Sequence, residues 1–334
     1  MNKTFQVIIL FFVLIALFFQ ACKDKRKLDV DVSEIDINIQ IKRYGKSLFE
    51  INIENLQSEL KKRQKEYNFF LGANLDDTTN IIKIRDYLTD PVLINISKET
   101  FRQYPDLNYL DKQLTTAYKH IKYYYPENNI PIVFSYISGL DYEYPIKFLD
   151  NVVVIALDMY LGADYKPYIK IGLPSYKTKW MRRELIVVDC MKEIALQKNN
   201  LGDDNKTLLD KMITQGKILY FIDAMMPDEP DTLKIKYSEK QLEWCEKNES
   251  NIWSYFIENK LLYSTNNAVI NKFIVEGPFT SIFSKESPAR TSDFIGWEIV
   301  KKYMNNNKEI TFEELMDETD SQKILSKSRY KPKK

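Results

Sequence analysis

The chain has 334 residues, 44% hydrophobic and 28% charged, the balance of a folded protein with a sizeable core rather than of a disordered chain. Its net charge of +1 supplies no overall field for nucleic acid, and it carries no phosphate loop or nucleotide fingerprint, so neither partner is expected. With only 9 Gly and 12 Pro, long loops and a linker between two domains are not expected either.

The first 21 residues read as an address. Lys3 supplies a positive start, and residues 7–19 are an unbroken apolar run. That run has the length of a secretory signal and is short for a membrane span. Ala21-Cys22 ends it, and polarity switches at Lys23-Asp24-Lys25. A small residue before Cys at this point resembles a bacterial lipobox, although Phe19 and Gln20 depart from the usual Leu and small residue. The expectation is a lipoprotein signal peptide over 1–21, acylation of Cys22 and a tether over 22–30. The body then lies outside the cytoplasm, on a membrane through its lipid. An uncleaved anchor with an incidental cysteine is the alternative. Cleavage leaves Cys190 and Cys245, too few for a disulfide framework, and Cys190 is expected as a buried thiol.

Residues 30–44 alternate, with Ile35, Ile37, Ile39 and Ile41 on one side, which predicts a half-buried strand. Helical spacing follows over 53–71, then over 80–88 up to Asp90-Pro91, and most cleanly over 107–124. Residues 131–138 and 151–157 are rich in branched and aromatic side chains and read as strands, with a third short one over 168–171. Residues 180–197 read as a buried helix around which the rest is organised, because its apolar arc is wider than a surface helix needs. Helices follow over 207–226, 237–263 with a weak spot at 248–251, 267–275, 292–305 and 311–316. Ser238 with Gln241 and Thr311 with Glu314 form capping boxes. The 22 Tyr and 18 Phe fit thick helix packing, with Trp244, Trp253 and Trp297 as core anchors; a ring-stacking surface for sugars is the minority reading. The fold class is α+β, mainly helical with a small sheet, in a single globular domain over 31–322 with a basic flexible tail over 323–334.

Several stretches together resemble the gliding motility lipoprotein GldB family of Bacteroidetes. They are the signal ending at Cys22, D-V-S-E-I-D-I-N-I-Q-I-K-R-Y-G-K-S-L-F over 31–49, R-E-L-I-V-V-D-C-M-K-E-I-A over 183–195, L-L-D-K-M-I-T-Q-G-K-I-L-Y-F-I-D-A-M-M-P-D over 208–228 and F-I-G-W-E-I-V-K-K-Y-M over 294–304. The resemblance implies a role in gliding motility and the linked type IX secretion apparatus on the periplasmic side of the envelope, with other envelope proteins as partners. More distantly, the two middle stretches resemble zinc peptidases with H-E-x-x-H and a later E-G. On that overlay Val188 and Lys192 stand at the two His positions, Asp189 at the general base and Gln215 at the third ligand. Such a resemblance implies a zincin-like core with a degenerate metal site. A methyl pair, an ammonium and an amide cannot bind zinc, which takes about three N, S or carboxylate ligands. No metal, cofactor or catalytic residue is therefore expected.

Little other chemistry competes. His120 is the only histidine, at the edge of the 107–124 stripe, and no G-x-S-x-G accompanies it. Glu184, Asp189 and Glu193 offer paired carboxylates of the kind glycosidases use, in a pattern too common to be specific. Asp189 and Lys192, three apart, predict an ion pair on one helix face. The expected function is a non-catalytic lipoprotein acting through protein contacts. The alternatives are an envelope hydrolase with a relocated carboxylate site and a glycan-binding lipoprotein.

Overall fold

A computed structural model describes residues 28–198 and 206–333; Cys22 and the signal segment lie outside them. The chain divides into two compact units at Asp31, and the architecture below is that of the second. Its elements are α1 (Tyr44–Phe49), α2 (Leu56–Gln64), α3 (Thr78–Thr89), α4 (Pro91–Gln103), α5 (Asn108–Tyr124), β1 (Ile132–Tyr136), β2 (Ile146–Leu149), β3 (Val152–Ala156), α6 (Ile186–Lys198), α7 (Leu208–Met225), α8 (Glu239–Lys247), α9 (Glu249–Glu258), α10 (Asn267–Ile274), α11 (Thr291–Asn306) and α12 (Ser321–Ser328), joined by shorter helical turns. The fold is thus mainly helical α+β with one small sheet.

The sheet has the order β1-β3-β2, with β1 parallel and β2 antiparallel to β3. All five residues of β3 are buried, as a central strand covered on both faces requires. On one face Phe134, Val152 and Val154 join Leu48, Leu56, Leu60 and Leu71 in a core built by the N-terminal helices. On the other face α6 packs against β2.

The central helix is α7 rather than α6. It packs against α5, α6, α10, α11 and α12, whereas α6 touches α5, α7 and β2. Every residue from Gly216 to Met225 is buried, so α7 needs no polar face. A capping box of Thr207 and Asp210 starts it, and the capping boxes at Ser238 and Thr311 form as the sequence predicts.

Several expectations are corrected. The alternating segment before α1 buries Ile37, Ile39 and Ile41 but is not a strand. Its backbone N–H groups go to helix side chains, Ile39 to Thr115 Oγ1 at 3.0 Å and Ile41 to Asp111 Oδ1 at 2.9 Å, and only Lys42 bridges to β1. The stretch 53–71 is broken into short helices at 65–67. Pro91 does not only end a helix: Asp90 caps a new one, accepting from Val92 N and Leu93 N. The third strand is β2, and Lys166–Lys170 is a helical turn. Residues 180–182 precede α6 rather than belong to it. The weak spot at Asn248 does separate two helices, α8 and α9. The basic end is no tail: α12 packs on α11, Ile324 is fully buried, and Tyr330 donates to Glu249 Oε1 at 2.8 Å.

Candidate functional site

The first turns of α6 form the floor of a cleft of about 520 Å³, a size that suits a ligand rather than a trapped water. Asp189, Lys192 and Glu193 line it from below. The chain from Tyr142 to Ile146 makes one wall, Tyr176 and Trp180 make the rim, and Lys236, Glu276 and Arg290 close the far side.

Asp189 is fully engaged. Its Oδ1 lies 2.5 Å from Lys236 Nζ and its Oδ2 accepts from Tyr160 OH at 3.0 Å. Burial and the nearby Asp189 charge push the Tyr160 hydroxyl well above its usual range, so it remains a donor. The expected pair between Asp189 and Lys192 is corrected. Spacing of three brings the two to one side of α6, but the carboxylate turns to Lys236, contributed from 47 positions along the chain.

Lys192 has no ion pair or hydrogen bond among the described residues. It is half-buried and opens on the cleft. Burial lowers its ammonium pKa, and Lys236 and Arg290 lower it further, against the pull of Asp189 and Glu276. Burial raises the neighbouring Glu193.

The two cations of the far side sit on unusual backbone. Lys236 has φ 56° and Arg290 has φ 57°, left-handed conformations that cost a side-chain-bearing residue about 1–3 kcal/mol each. Lys236 caps the end of the turn Asp231–Ile235, and Arg290 immediately precedes α11. Hydrogen bonds lock the two corners together: Arg290 Nη2 donates to Ile235 O at 3.0 Å, and Tyr237 OH to Ala289 O at 2.9 Å and Arg290 O at 2.8 Å. Arg290 Nη1 also donates to Asp293 Oδ2 at 3.1 Å. Asp293 is buried, and that burial pushes its carboxyl up to about 6 in spite of Arg290 and Lys192.

The rim is aromatic. Lys179 lies 4.8 Å from the Trp180 ring centre and Lys177 5.4 Å from that of Tyr142, within the range of cation–π attraction. Tyr142 and Tyr144 are exposed.

Val188, Asp189, Lys192 and Gln215 come together. All four line a second, water-sized cavity of about 20 Å³ behind the cleft floor, together with Arg290 and Asp293. Glu184 does not reach the cleft; its carboxylate lies 3.9 Å from Arg182. His120 lies on α5, buried, with Nδ1 2.9 Å from Thr116 O. Trp297 is a core residue, whereas Trp244 and Trp253 are half-buried. Cys190 and Cys245 are buried free thiols, and burial raises both well above the reactive range. Among the described residues no group of three or more His, Cys, Asp or Glu side chains is arranged to hold a metal ion. Sequence reasoning missed Lys236, Glu276, Arg290 and Tyr160. No local motif marks them, since each reaches the cleft through tertiary packing.

The fold defines a mainly helical α+β protein with a mixed-charge cleft. The chain belongs to the family of gliding motility protein GldB, whose model matches residues 25–332. It is thus one of a family of gliding motility lipoproteins, which points to association with a membrane and with envelope components. Among the described residues no helix is long and apolar enough to cross a membrane. No curated protein and no solved structure matches the chain.

Proposed function

We propose that the protein is a non-catalytic lipoprotein, held on the periplasmic side of the cell membrane by a lipid on Cys22, that supports gliding motility and the linked type IX secretion apparatus through protein contacts. Membership of the GldB family carries this reading. We further propose that α6 and α7 keep the frame of a zincin-like metal site whose ligands have been lost. Three observations support that. Val188 and Gln215 border one small cavity with Lys192. On the overlay, Lys192 puts an ammonium, which repels cations, at one of the two histidine positions. Asp189, the candidate base, is already committed to Lys236 and Tyr160.

Deletion of the gene in its native host should abolish colony spreading, and Cys22→Ser should fail to restore it and fail to incorporate a fatty-acid analogue. Normal spreading of the deletion strain would sink the motility role. Equal labelling of wild type and Cys22→Ser would sink the anchor.

One observation favours a hydrolase instead. Glu193, raised by burial, lies in the cleft beside Asp189, an acid with a second carboxyl group. Zinc analysis of protein purified without chelator, and glycoside hydrolysis assays on Glu193→Gln, separate the readings. Stoichiometric zinc lost in Asp189→Ala, or turnover lost in Glu193→Gln, would put the hydrolase first.

A further inference from the structure

The charges that face the cleft fall into two sets. Lys236 and Arg290 are paired, with Asp189 and Asp293. Lys179 and Lys192 line the same cleft and make no ion pair among the described residues. Both are crowded by like charge. Burial lowers the Lys179 ammonium and Arg290 lowers it further; burial, Lys236 and Arg290 do the same to Lys192. Rim and floor therefore meet around Arg290, where two ammonium groups have no carboxylate of their own. Two carboxyl groups are also without a partner of their own: Glu193 and Glu276 line the cleft and make no ion pair or hydrogen bond among the described residues. An aromatic ring completes the set. Tyr176 is half-buried at the rim and contacts no other ring or cation among the described residues.

We infer that the cleft binds a sugar that carries a carboxylate. The anion is held by Lys192 and Lys179, hydroxyl groups donate to Glu193 and Glu276, and the ring lies against Tyr176. The mixture of groups selects this class. A simple anion such as acetate brings no donor for the two glutamates, which then repel it. A neutral sugar donates to the glutamates but leaves both ammonium groups without a counter-charge. An amino-acid zwitterion matches the charges and brings no ring face for Tyr176. A sugar acid supplies anion, donors and ring from one rigid body, so no charged group in the cleft is desolvated without a partner. Its carboxylate makes charge-assisted hydrogen bonds with the ammonium groups, and the C–H face of its ring suits the electron-rich face of a tyrosine. This inference goes beyond the protein-contact reading and does not rest on it.

The test uses the full-length protein in detergent on an array of glycans bearing uronate, sialate or muramate, each printed beside its carboxyl-reduced counterpart. The strongest binder and its reduced counterpart are then titrated by calorimetry. The acid should bind at least tenfold more tightly than the reduced form, a contrast that needs no protein variant. That preference should vanish in Lys192→Met and persist in Lys192→Arg, with unchanged melting of both. Tyr176→Ala should weaken acid and reduced forms alike and leave the ratio between them intact. Acetate and glutamate should not compete at concentrations that saturate the site with the glycan. Binding of no acidic glycan overturns the inference, as does equal binding of acid and reduced forms. So does an acid preference that survives Lys192→Met, or competition by acetate or glutamate at the same concentrations as the glycan. Full affinity in Tyr176→Ala overturns the placement of the ring.

Discussion

Gly216 of α7 and Gly296 of α11 face each other where the two helices cross. A Cβ on Gly216 would run into the Gly296 carbonyl, and a Cβ on Gly296 into that of Met212. Both obstacles are backbone, which cannot swing aside. Gly216 also follows Gln215, so the contact that fixes α7 against α11 also fixes one side of the cavity behind the cleft.

Gly216→Ala and Gly296→Ala should therefore each destabilise the protein by about 3 kcal/mol, the upper end of overpacking costs. Because each methyl meets the other helix's main chain, the double variant should not recover. Urea melts followed by circular dichroism measure this. An alanine variant that melts with wild type would mean the helices do not cross at these glycines.

How much of this was legible in the sequence depends on where each hydrogen bond goes. Period and caps placed α5, α7, α11 and the start of α8, because those signals are local. Residues 35–41 alternate as a strand does, and their burial follows the alternation. The pattern reports burial, not pairing, and Thr115 and Asp111 take the N–H groups a neighbouring strand would have taken. Asp90-Pro91 was legible as a stop but is equally a start, since Pro suits the first turn of a helix. Around the small cavity, Val188, Asp189, Lys192 and Gln215 were singled out only by the overlay on the zinc-peptidase pattern. Lys236 and Arg290 were not, because left-handed corners leave no periodic trace.

Removing Asp189 tests its double engagement. Asp189→Ala leaves Lys236 unpaired at a site where the two side chains are only 21% and 13% exposed, and leaves the buried Tyr160 hydroxyl without its acceptor. The expected loss is about 2–4 kcal/mol. Adding Lys236→Met should return part of it, with a coupling of about 1–3 kcal/mol. Strict additivity in thermal melts would show that the pair contributes nothing.

The C-terminal helix should behave as part of the body. Ending the chain after Asp320 removes Ile324 from the core and Tyr330 from Glu249, and limited proteolysis should then degrade α11 as well. Tyr330→Phe alone leaves the buried Glu249 carboxyl without that donor, at a cost of about 1–3 kcal/mol. Unchanged protease resistance of the truncated chain would make the helix dispensable.

Asp293 gives stability a pH dependence with a definite sign. Its carboxyl is raised to about 6 in the fold because burial outweighs Arg290 and Lys192, whereas in the unfolded chain it titrates near 3.9. Below about pH 4 both states hold the proton, and the folded state keeps the full advantage of a neutral carboxyl. As pH rises from 4 to 6 the unfolded chain gives up its proton first, so this contribution to stability declines; above about 6 the folded state has lost its proton too and the decline stops. The span is at most about 3 kcal/mol. Asp293→Asn removes the titration while keeping the shape, although it also takes a charge from Arg290 and so lowers stability near neutral pH. The informative quantity is the difference between wild type and variant. Relative to Asp293→Asn, wild type should lose stability between pH 4 and 6.5 and change little from 6.5 to 8. A difference that is flat from pH 4 to 6, or that grows in favour of wild type, would mean that Arg290 holds the carboxylate ionised throughout.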